Sequence, residues 1–400
     1  MARPHVRPLA RGSEATPDLP LVYGDLPCRL QQWIGLMPAH GLGVGRRAFV
    51  AVLVTWVPLA IAALSAGHFL EGATAEPLLQ HFGLNVKFLM AVPVLIVGEA
   101  LLDRLTQKKI PHFVESGLVT EADRPAFAAM VARAVVWHDA WKPWLVIAVL
   151  VVAWTMTPGA WNVHALEWTA ADPPGRFGLR FGAWWYIFVA RPIFIALVLV
   201  WVWRLGVLAA LLVRISRLPL SLVATHSDKA GGLGFLAELP HAFSPLTLAL
   251  ATVLAAQWGH AALYHGTELE SFTLPLIAFT IVTTAVVLGP LLAFVGPLVA
   301  LRRREKLRYG ALVGEYGRLV HQRWILGEAL RDDTMLTARE LGPAADAAML
   351  YDAVERTRPV PFDPRTLVLI VAPILLPMVP LIAVEMHLVD ALKVVLSTFK

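Results

Sequence analysis

The sequence predicts an all-α, polytopic integral membrane protein with about seven transmembrane helices (six to eight) and a small helical cytoplasmic layer. Three observations support this fold class. Of the 400 residues, 57% are hydrophobic and only 16% are charged, whereas soluble domains carry roughly 25% charged residues. The apolar residues gather in runs of about 20, the length of a membrane-crossing helix. The net charge of +5 fits Lys and Arg collecting in cytoplasmic loops.

Seven apolar runs are the candidates for the spanning helices. Trp and Tyr cluster near their ends, which is the aromatic-belt pattern of membrane proteins. The first run is too long and too poorly ended for a cleaved signal peptide, so we expect it to remain as an anchor. The last run contains three prolines and is expected to be kinked. The runs cover approximately 48–67, 87–103, 143–159, 182–203, 243–264, 272–300 and 366–386.

The distribution of positive charge indicates a cytoplasmic N-terminus, since most of the 34 Lys and Arg residues then lie on the inner side. Residues 1–47 become a basic cytoplasmic leader that we expect to be partly disordered. Residues 26–36 within it are either a short interfacial helix or, as the favoured alternative, a loop on the membrane. Residues 48–400 form a single transmembrane domain. The C-terminus is expected outside, with an inner C-terminus as the alternative. The predicted cytoplasmic insertions are 104–142, 204–242 and 301–365.

Three stretches carry a resemblance to a known family: GLGVGRRAFVAVLVTWVPLAI at the first helix, THSDKAGGLGFL in the middle, and RTRPVPFDPRTL before the last run. With the spacing between them they extend over nearly the whole chain. On these stretches the sequence resembles a family of bacterial polytopic inner-membrane proteins. The resemblance implies the bacterial inner membrane as the location. It implies no activity, substrate, cofactor or catalytic residue.

The most unusual spanning segment is Trp184–Arg217, which carries Arg191 and Arg204 in a strongly apolar context. Arg191 lies near the expected bilayer midplane, where a charge is expensive. We expect Arg204 at the cytoplasmic interface, where its side chain can reach water. Glu99 in the second run is a geometrically feasible partner for Arg191. The pair is either an anion-binding or proton-coupled site, or a buried structural ion pair; alternatively, Glu99 reaches the interface near Arg104.

Polar side chains in the fifth run form a second candidate. Gln257 and His260 lie one turn apart on one face. They either line a conduit, together with Glu99 and Arg191, or are isolated polar groups of a packed bundle. Thr residues in the sixth run favour the second alternative, isolated polar groups, because Thr hydroxyls often bond back to their own helix.

The segment THSDKAGGLGFL, residues 225–236, is the most polar loop of the chain, and we call it the glycine loop. Its polar side chains and glycine amides are typical of a phosphate or carboxylate nest. The alternative is a tight turn in which Asp228 caps the backbone. The spacing matches neither a Walker nor a Rossmann motif. The candidate binding residues are His226, Asp228, Lys229, Gly231, Gly232 and Gly234.

A basic cluster follows the sixth run, at the expected headgroup level. It predicts contact with anionic phospholipid in the bilayer rather than nucleic acid, because it directly adjoins a membrane helix. Cys28 is the only cysteine, which excludes an intrachain disulfide and a cysteine metal knuckle. We predict no metal site, no cofactor and no catalytic residue. The cluster consists of Arg302, Arg303, Arg304, Lys306 and Arg308.

Three functions remain open at this stage. The first is a channel or transporter for a small ion or anionic solute, and a homo-oligomer is compatible with it because seven helices enclose only a thin pore. The second is a membrane-embedded enzyme acting on a lipid headgroup at the cytoplasmic face, through the glycine loop. The third is a non-catalytic scaffold or sensor, which predicts that the intramembrane charges are paired and inaccessible. An enzyme is the less favoured class.

Overall fold

The structure is a computed structural model, which describes residues 19–38, 41–69, 77–157, 181–327 and 344–381. We number ten main helical segments, and no β-strand occurs in the described ranges. The helices are α1 (Leu26–Trp33), α2 (Val44–Ser65), α3 (Phe82–Glu115), α4 (Glu121–Asp139), α5 (Trp141–Met156), α6 (Phe181–Ile215), α7 (Gly234–His265), α8 (Leu269–Ile325), α9 (Ala344–Glu355) and α10 (Pro364–Leu381).

Six helices are long and apolar enough to cross a membrane: α2, α3, α6, α7, α8 and α10. The bent pair of α4 and α5, with an angle of 41° between its members, would make a seventh if it crosses as one span. Every one of the seven predicted apolar runs falls on one of these helices. The all-α polytopic fold class is therefore confirmed.

The helix boundaries follow from capping residues. Asp25 accepts a hydrogen bond from the backbone N–H of Cys28 at the start of α1, and a proline occupies the first turn. Asp363 caps α10 in the same way, through the N–H of Thr366. Gly266, with φ +63°, ends α7 in the left-handed conformation that glycine tolerates best. Residues 26–36 thus contain a helix, so the favoured loop interpretation was wrong.

The main core lies between α3, α4, α6, α7 and α8. Trp201 and Phe243 meet edge to face at its centre, with their ring centroids 5.9 Å apart. Phe127 on α4 is fully buried in this core, so the segment predicted as the 104–142 insertion packs on the other helices. Leu19 and Leu21 are also fully buried there. The end of the predicted leader is therefore an integral part of the bundle, while residues 1–18 lie outside the described ranges.

A smaller core joins α2, α3 and α6 around Phe88 and Ile187. Each of these helices is irregular at this level, and each carries a proline next to the irregularity. α2 is interrupted at Trp56, and α3 and α6 each contain a π turn, at Lys87–Ala91 and Tyr186–Ala190. A proline lacks the N–H that continues the helical ladder, which explains why the three helices deviate here.

Candidate functional site

The most polar part of the helix bundle is a set of buried charges that we call the charge network: Asp25, Arg47, Glu99 and Arg204. Arg204 Nη1 donates to Glu99 Oε1 at 2.7 Å, and Arg204 Nη2 donates to Asp25 Oδ2 at 2.9 Å. Arg47 Nη1 lies 2.6 Å from the other Glu99 oxygen. The four side chains are between 0% and 6% exposed. Two cations and two anions are thus buried together, with their formal charges balanced.

Four separate stretches of chain supply the network. Asp25 comes from the segment before α1, and Arg47, Glu99 and Arg204 come from α2, α3 and α6. Arg47 also donates to Gln31 Oε1, which ties α1 to α2. One oxygen of Asp25 accepts the capping hydrogen bond of α1, and the other accepts a hydrogen bond from Arg204. The same carboxylate thus links the cap of α1 to the ion pair. The network therefore docks residues 19–37, which we call the N-terminal segment, against three helices.

His138 extends the network on the α4 side. Its ring is fully buried, with Nε2 3.8 Å from Asp25 Oδ2 and Nδ1 2.9 Å from Asp139 Oδ1. Arg29 lies 3.6 Å from the Asp139 carboxylate. Gly24, with φ +92°, turns the chain toward Asp25. A Cβ at Gly24 would lie 3.1 Å from the carboxylate oxygens of Asp139. The glycine thus provides both the backbone conformation and the close approach.

The energetic meaning of such a network is specific. Each buried charge costs several kcal/mol to desolvate, and mutual attraction roughly compensates this cost. Hydrophobic residues of similar volume often stabilise a protein as well or better. Removing only one partner is expensive, because the remaining charge stays buried. The network therefore fixes which segments meet, and adds little to their net stability.

The structure changes two expectations for these residues. Glu99 forms its ion pairs with Arg204 and Arg47 rather than the suggested pair with Arg191. Arg204 was expected to reach water at the interface, but its side chain is 2% exposed and bonded to two carboxylates. Both errors have one cause: positions along separate helices do not reveal which helices are neighbours or which faces they share.

The remaining path candidates lie elsewhere. His260 is at the other end of the bundle, where its Nδ1 is 3.0 Å from the carbonyl oxygen of Gln80, and Gln257 is exposed on the same helix. Glu99 is 18 residues after His81, or about 27 Å along α3. Arg191 directly follows the π turn of α6 and is partly buried. These four residues therefore occupy at least two separate levels of the bundle.

The glycine loop binds its own carboxylate. Asp228 Oδ1 accepts hydrogen bonds from the amides of Ala230 at 2.8 Å and Gly232 at 3.2 Å, and Oδ2 accepts one from Gly234 at 2.7 Å. Partial burial opposes the ionisation of Asp228, but these amide bonds outweigh it and hold the pKa of the carboxyl below its usual value. The amides are thus engaged within the loop, as the tight-turn alternative predicts.

The candidate side chains of the loop differ in setting. His226 is half exposed, with Nδ1 2.8 Å from Asp228 Oδ1. Lys229 adopts φ +56°, unusual for a residue with a side chain, and its carbonyl accepts from the N–H of Arg358 at 2.7 Å. Gly231 has φ +66°, and its backbone lies against Leu301 and Leu298 of α8. Steric and conformational demands thus explain this glycine without a ligand.

The turn before α10 holds the loop from outside. Arg358 Nη2 donates to the carbonyl of Asp228 at 2.7 Å, and Thr357 Oγ1 donates to the carbonyl of Ala224 at 2.9 Å. The glycine loop and the turn of sequence RTRPVPFDPR are therefore in direct contact, and these bonds give each segment a structural role.

The basic cluster lies along α8 beside α9. Lys306 Nζ is 2.7 Å from Glu355 Oε1, and Arg302 Nη2 donates to the Glu355 carbonyl at 2.8 Å. Arg304 and Arg308 both approach Glu305, at 2.7 and 3.4 Å. These contacts leave most of the cluster solvent-exposed, since Arg303, Arg304, Lys306 and Arg308 are exposed. Contact with anionic phospholipid stays a prediction.

Sequence reasoning missed Asp25, Arg47 and His138. Asp25 did carry a signal, because an acidic residue two positions before a proline predicts a helix start. Arg47 was counted only as a cytoplasmic charge.

In the described part of the chain, no group of three or more His, Cys, Asp and Glu side chains is arranged to hold a metal ion. No family model, no curated protein and no solved structure matches this chain.

Proposed function

We propose that this multi-pass membrane protein is a gated channel or transporter for a small ion or anionic solute. The observation that carries the proposal is the charge network, which docks the N-terminal segment against α3 and α6. By the positive-inside rule, the level of the charge network lies toward the cytoplasm. The N-terminal segment then acts as the cytoplasmic gate, and the structure corresponds to its closed state.

The first argument is the position of the segment. Leu19, Leu21 and Val22 are at most 1% exposed and pack into the main core. A segment that precedes the first spanning helix thus fills space between later helices. The segment precedes α2 in the chain, so it can leave its position without breaking any spanning helix.

The second argument is energetic. A permanent contact is made most economically from apolar side chains, and the segment already has three. Buried ion pairs are best attested where a protein must specify one arrangement among alternatives or change between two. Charges that are paired in the docked state become hydrated in the undocked state. That compensation lowers the free-energy difference between the two states and makes gating feasible.

Ion flux in liposomes tests this function. The purified full chain is reconstituted with entrapped potassium chloride, nitrate, acetate or phosphate, and efflux is followed after addition of valinomycin. The informative variant is Asp25→Asn, because asparagine keeps the helix cap and loses the charge. Asp363→Asn is the matched control, since Asp363 also caps a helix but lies outside the network.

We expect flux of at least one anion above empty liposomes, and a several-fold increase in Asp25→Asn but not in Asp363→Asn. Flux equal to empty liposomes for every salt and every variant would overturn the proposal.

A scaffold or sensor is the second candidate, and one observation favours it. The far part of α8 and the facing helix α9 carry large apolar side chains that are unusually exposed: Leu307 at 77%, Trp324 at 63%, Ile325 at 69% and Met349 at 63%. Such groups are typical of a surface that recruits another protein. In that case the charge network is a permanent connection, and the flux assay stays at background.

The lipid-headgroup enzyme has less support, because Asp228 occupies the amides of the glycine loop.

A further inference from the structure

We propose that the adjoining π turns of α3 and α6 form a binding site for a small anion. Lys87 and Tyr186 are its ligands. The inference rests on the proposed transport function and narrows its substrate to anions. It concerns the bundle level opposite the charge network.

The first step is the local construction of the two helices. The sequence KFLMAVP in α3 and the sequence YIFVARP in α6 each form a five-residue π turn. In both helices a proline follows two positions after the last residue of the turn. Pro93 and Pro192 cannot donate hydrogen bonds to the preceding turn. π turns are uncommon in helices and occur often at functional sites. Two of them at one level of two neighbouring helices are therefore informative.

The second step is the contact between the turns. Lys87 Nζ lies 3.5 Å from Tyr186 Oη, 5.8 Å from the centroid of the Tyr186 ring and 5.7 Å from that of Phe194. Phe88 meets Tyr186 edge to face at 6.1 Å. The ammonium group and the phenol hydroxyl thus belong to one site.

The third step is the wall formed by α2. Pro58 cannot donate to the carbonyl of Val54, and Trp185 Nε1 donates to that oxygen at 2.9 Å instead. On the other side, Trp56 Nε1 donates to Asn85 Oδ1 at 2.9 Å. These bonds span α2, α3 and α6 and hold the irregular turns in place. A rigid scaffold around the ligands is what a selective site requires.

The fourth step is charge. α2 and α6 contain no Asp or Glu, and the first acidic residue of α3 is Glu99. Glu99 is twelve residues, or about 18 Å, from Lys87 along the helix. The three helices therefore bring positive charge, and no carboxylate of their own, to this level of the bundle. A positive charge in a weakly polar environment favours an anion as its partner.

The ligand chemistry follows from the donors. An ammonium group and a hydroxyl 3.5 Å apart can both donate to one halide or one oxygen of an oxyanion. The ammonium is a point charge without the planar geometry that selects a bidentate carboxylate. We infer a small anion of low charge, such as chloride, nitrate or acetate, as the class of ligand.

Anion binding to the purified full chain tests the site independently of flux. The probes are sodium chloride, nitrate and acetate, titrated at constant ionic strength against gluconate, with the thermal unfolding midpoint followed by tryptophan fluorescence. The variants are Lys87→Gln, Lys87→Arg and Tyr186→Phe. Lys108→Gln is the matched control, because Lys108 is an exposed lysine on the same helix.

We expect a saturable stabilisation of the wild type by at least one of these anions. Its apparent affinity should fall about tenfold or more in Lys87→Gln and severalfold in Tyr186→Phe, as expected for lost charge-assisted hydrogen bonds. Lys87→Arg keeps the positive charge and should lose less affinity than Lys87→Gln, and Lys108→Gln should stay within about threefold of wild type. The rescue by arginine separates loss of binding from loss of folding. No saturable effect of any anion, or wild-type affinity in Lys87→Gln, would overturn the site.

The two proposals can fail separately. Saturable binding that depends on Lys87 without flux in liposomes leaves the site in place and removes the transport function. Flux that is the same in wild type and Lys87→Gln keeps the transport function and removes the site.

Discussion

The charge network and the glycine loop satisfy buried carboxylates in opposite ways. In the glycine loop, Asp228 binds three amides, the farthest only six residues away, and the motif is complete within one turn of chain. In the network, Glu99 and Asp25 depend on Arg204, which is 105 and 179 residues distant. Local pairing makes a stable loop, whereas distant pairing records which helices are adjacent. The second kind is the one that can report a change of tertiary arrangement.

The largest expected effect is the loss of Arg204. Arg204→Met leaves Asp25 buried with only His138 nearby, and leaves Glu99 with Arg47 alone. We expect the free energy of unfolding to fall by about 3–5 kcal/mol, because a buried charge loses its partner. Chemical denaturation in detergent micelles measures this. Arg217→Met, at an exposed position of the same chain segment, is the control and should change little.

A charge-neutral replacement sharpens the result. If Arg204→Met together with Asp25→Asn, which leaves the Arg47–Glu99 pair balanced, recovers most of the loss, the cost arises from uncompensated charge, as the network interpretation requires. If this double variant is as unstable as the sum of its parts, the side chains act through packing and the interpretation is wrong.

This contrast also explains what could be predicted from the sequence. The apolar runs and the Asp228 cap depend on neighbours within a few residues; in the described residues the runs lie on helices and the cap is present. The alternatives for the glycine loop already included the capping turn that is observed. Partners of Glu99 and Arg204 depend on the relative placement and rotation of whole helices. Hydropathy carries no such information, because lipid-facing and core-facing apolar residues have the same composition.

The N-terminal segment was the least predictable element. Its composition resembles a solvated leader, yet Leu19 and Leu21 are fully buried and Asp25 is 0% exposed. This segment is buried because it packs against α3, α4 and α6, which lie later in the chain. In the same way, Lys87 stands at the first position of the second apolar run, and only the contact of two π turns places it beside Tyr186.

The glycine loop provides the second prediction. Asp228→Ala should weaken the loop by about 2 kcal/mol, because three amides lose their acceptor. Since the pKa of Asp228 is lowered in the fold, its contribution is complete above the ordinary pKa of aspartate, about 4, and is lost as the pH falls through the lowered value. Amide hydrogen exchange of residues 230–234 measures both effects. Asp352→Ala, at an exposed ion pair, is the control. Equal exchange in the wild type and Asp228→Ala would contradict the assignment.

A smaller effect is expected where the α10 turn contacts the loop. Arg358→Gln removes the side-chain bond to the Asp228 carbonyl and keeps the backbone bond to Lys229. We expect a loss of about 1 kcal/mol, confined to the loop. Limited proteolysis between residues 223 and 236 should increase modestly, and less than in Asp228→Ala. A reversed order of these two variants would show that the turn, rather than Asp228, organises the loop.

The smallest effect is expected at the exposed pair of Lys306 and Glu355, whose side chains are roughly half exposed. The hydrogen bond from Lys306 lowers the pKa of Glu355, but solvent screens such pairs. Glu355→Gln should leave the thermal midpoint unchanged within error. A clear loss of stability would indicate that the α8–α9 hairpin depends on this pair.

The chemical reactivity of Cys28 tests reversible docking of the N-terminal segment most directly. Cys28 is the only cysteine, is 4% exposed, and its N–H binds Asp25. Burial also raises the pKa of its thiol, which slows modification in the docked state. The rate of maleimide modification in liposomes at pH 7 is compared between wild type, Asp25→Asn and Asp363→Asn. We predict slow modification of wild type and Asp363→Asn, and a rate at least about tenfold higher in Asp25→Asn. Equal rates in all three proteins would contradict the claim that the charge network holds this segment in place.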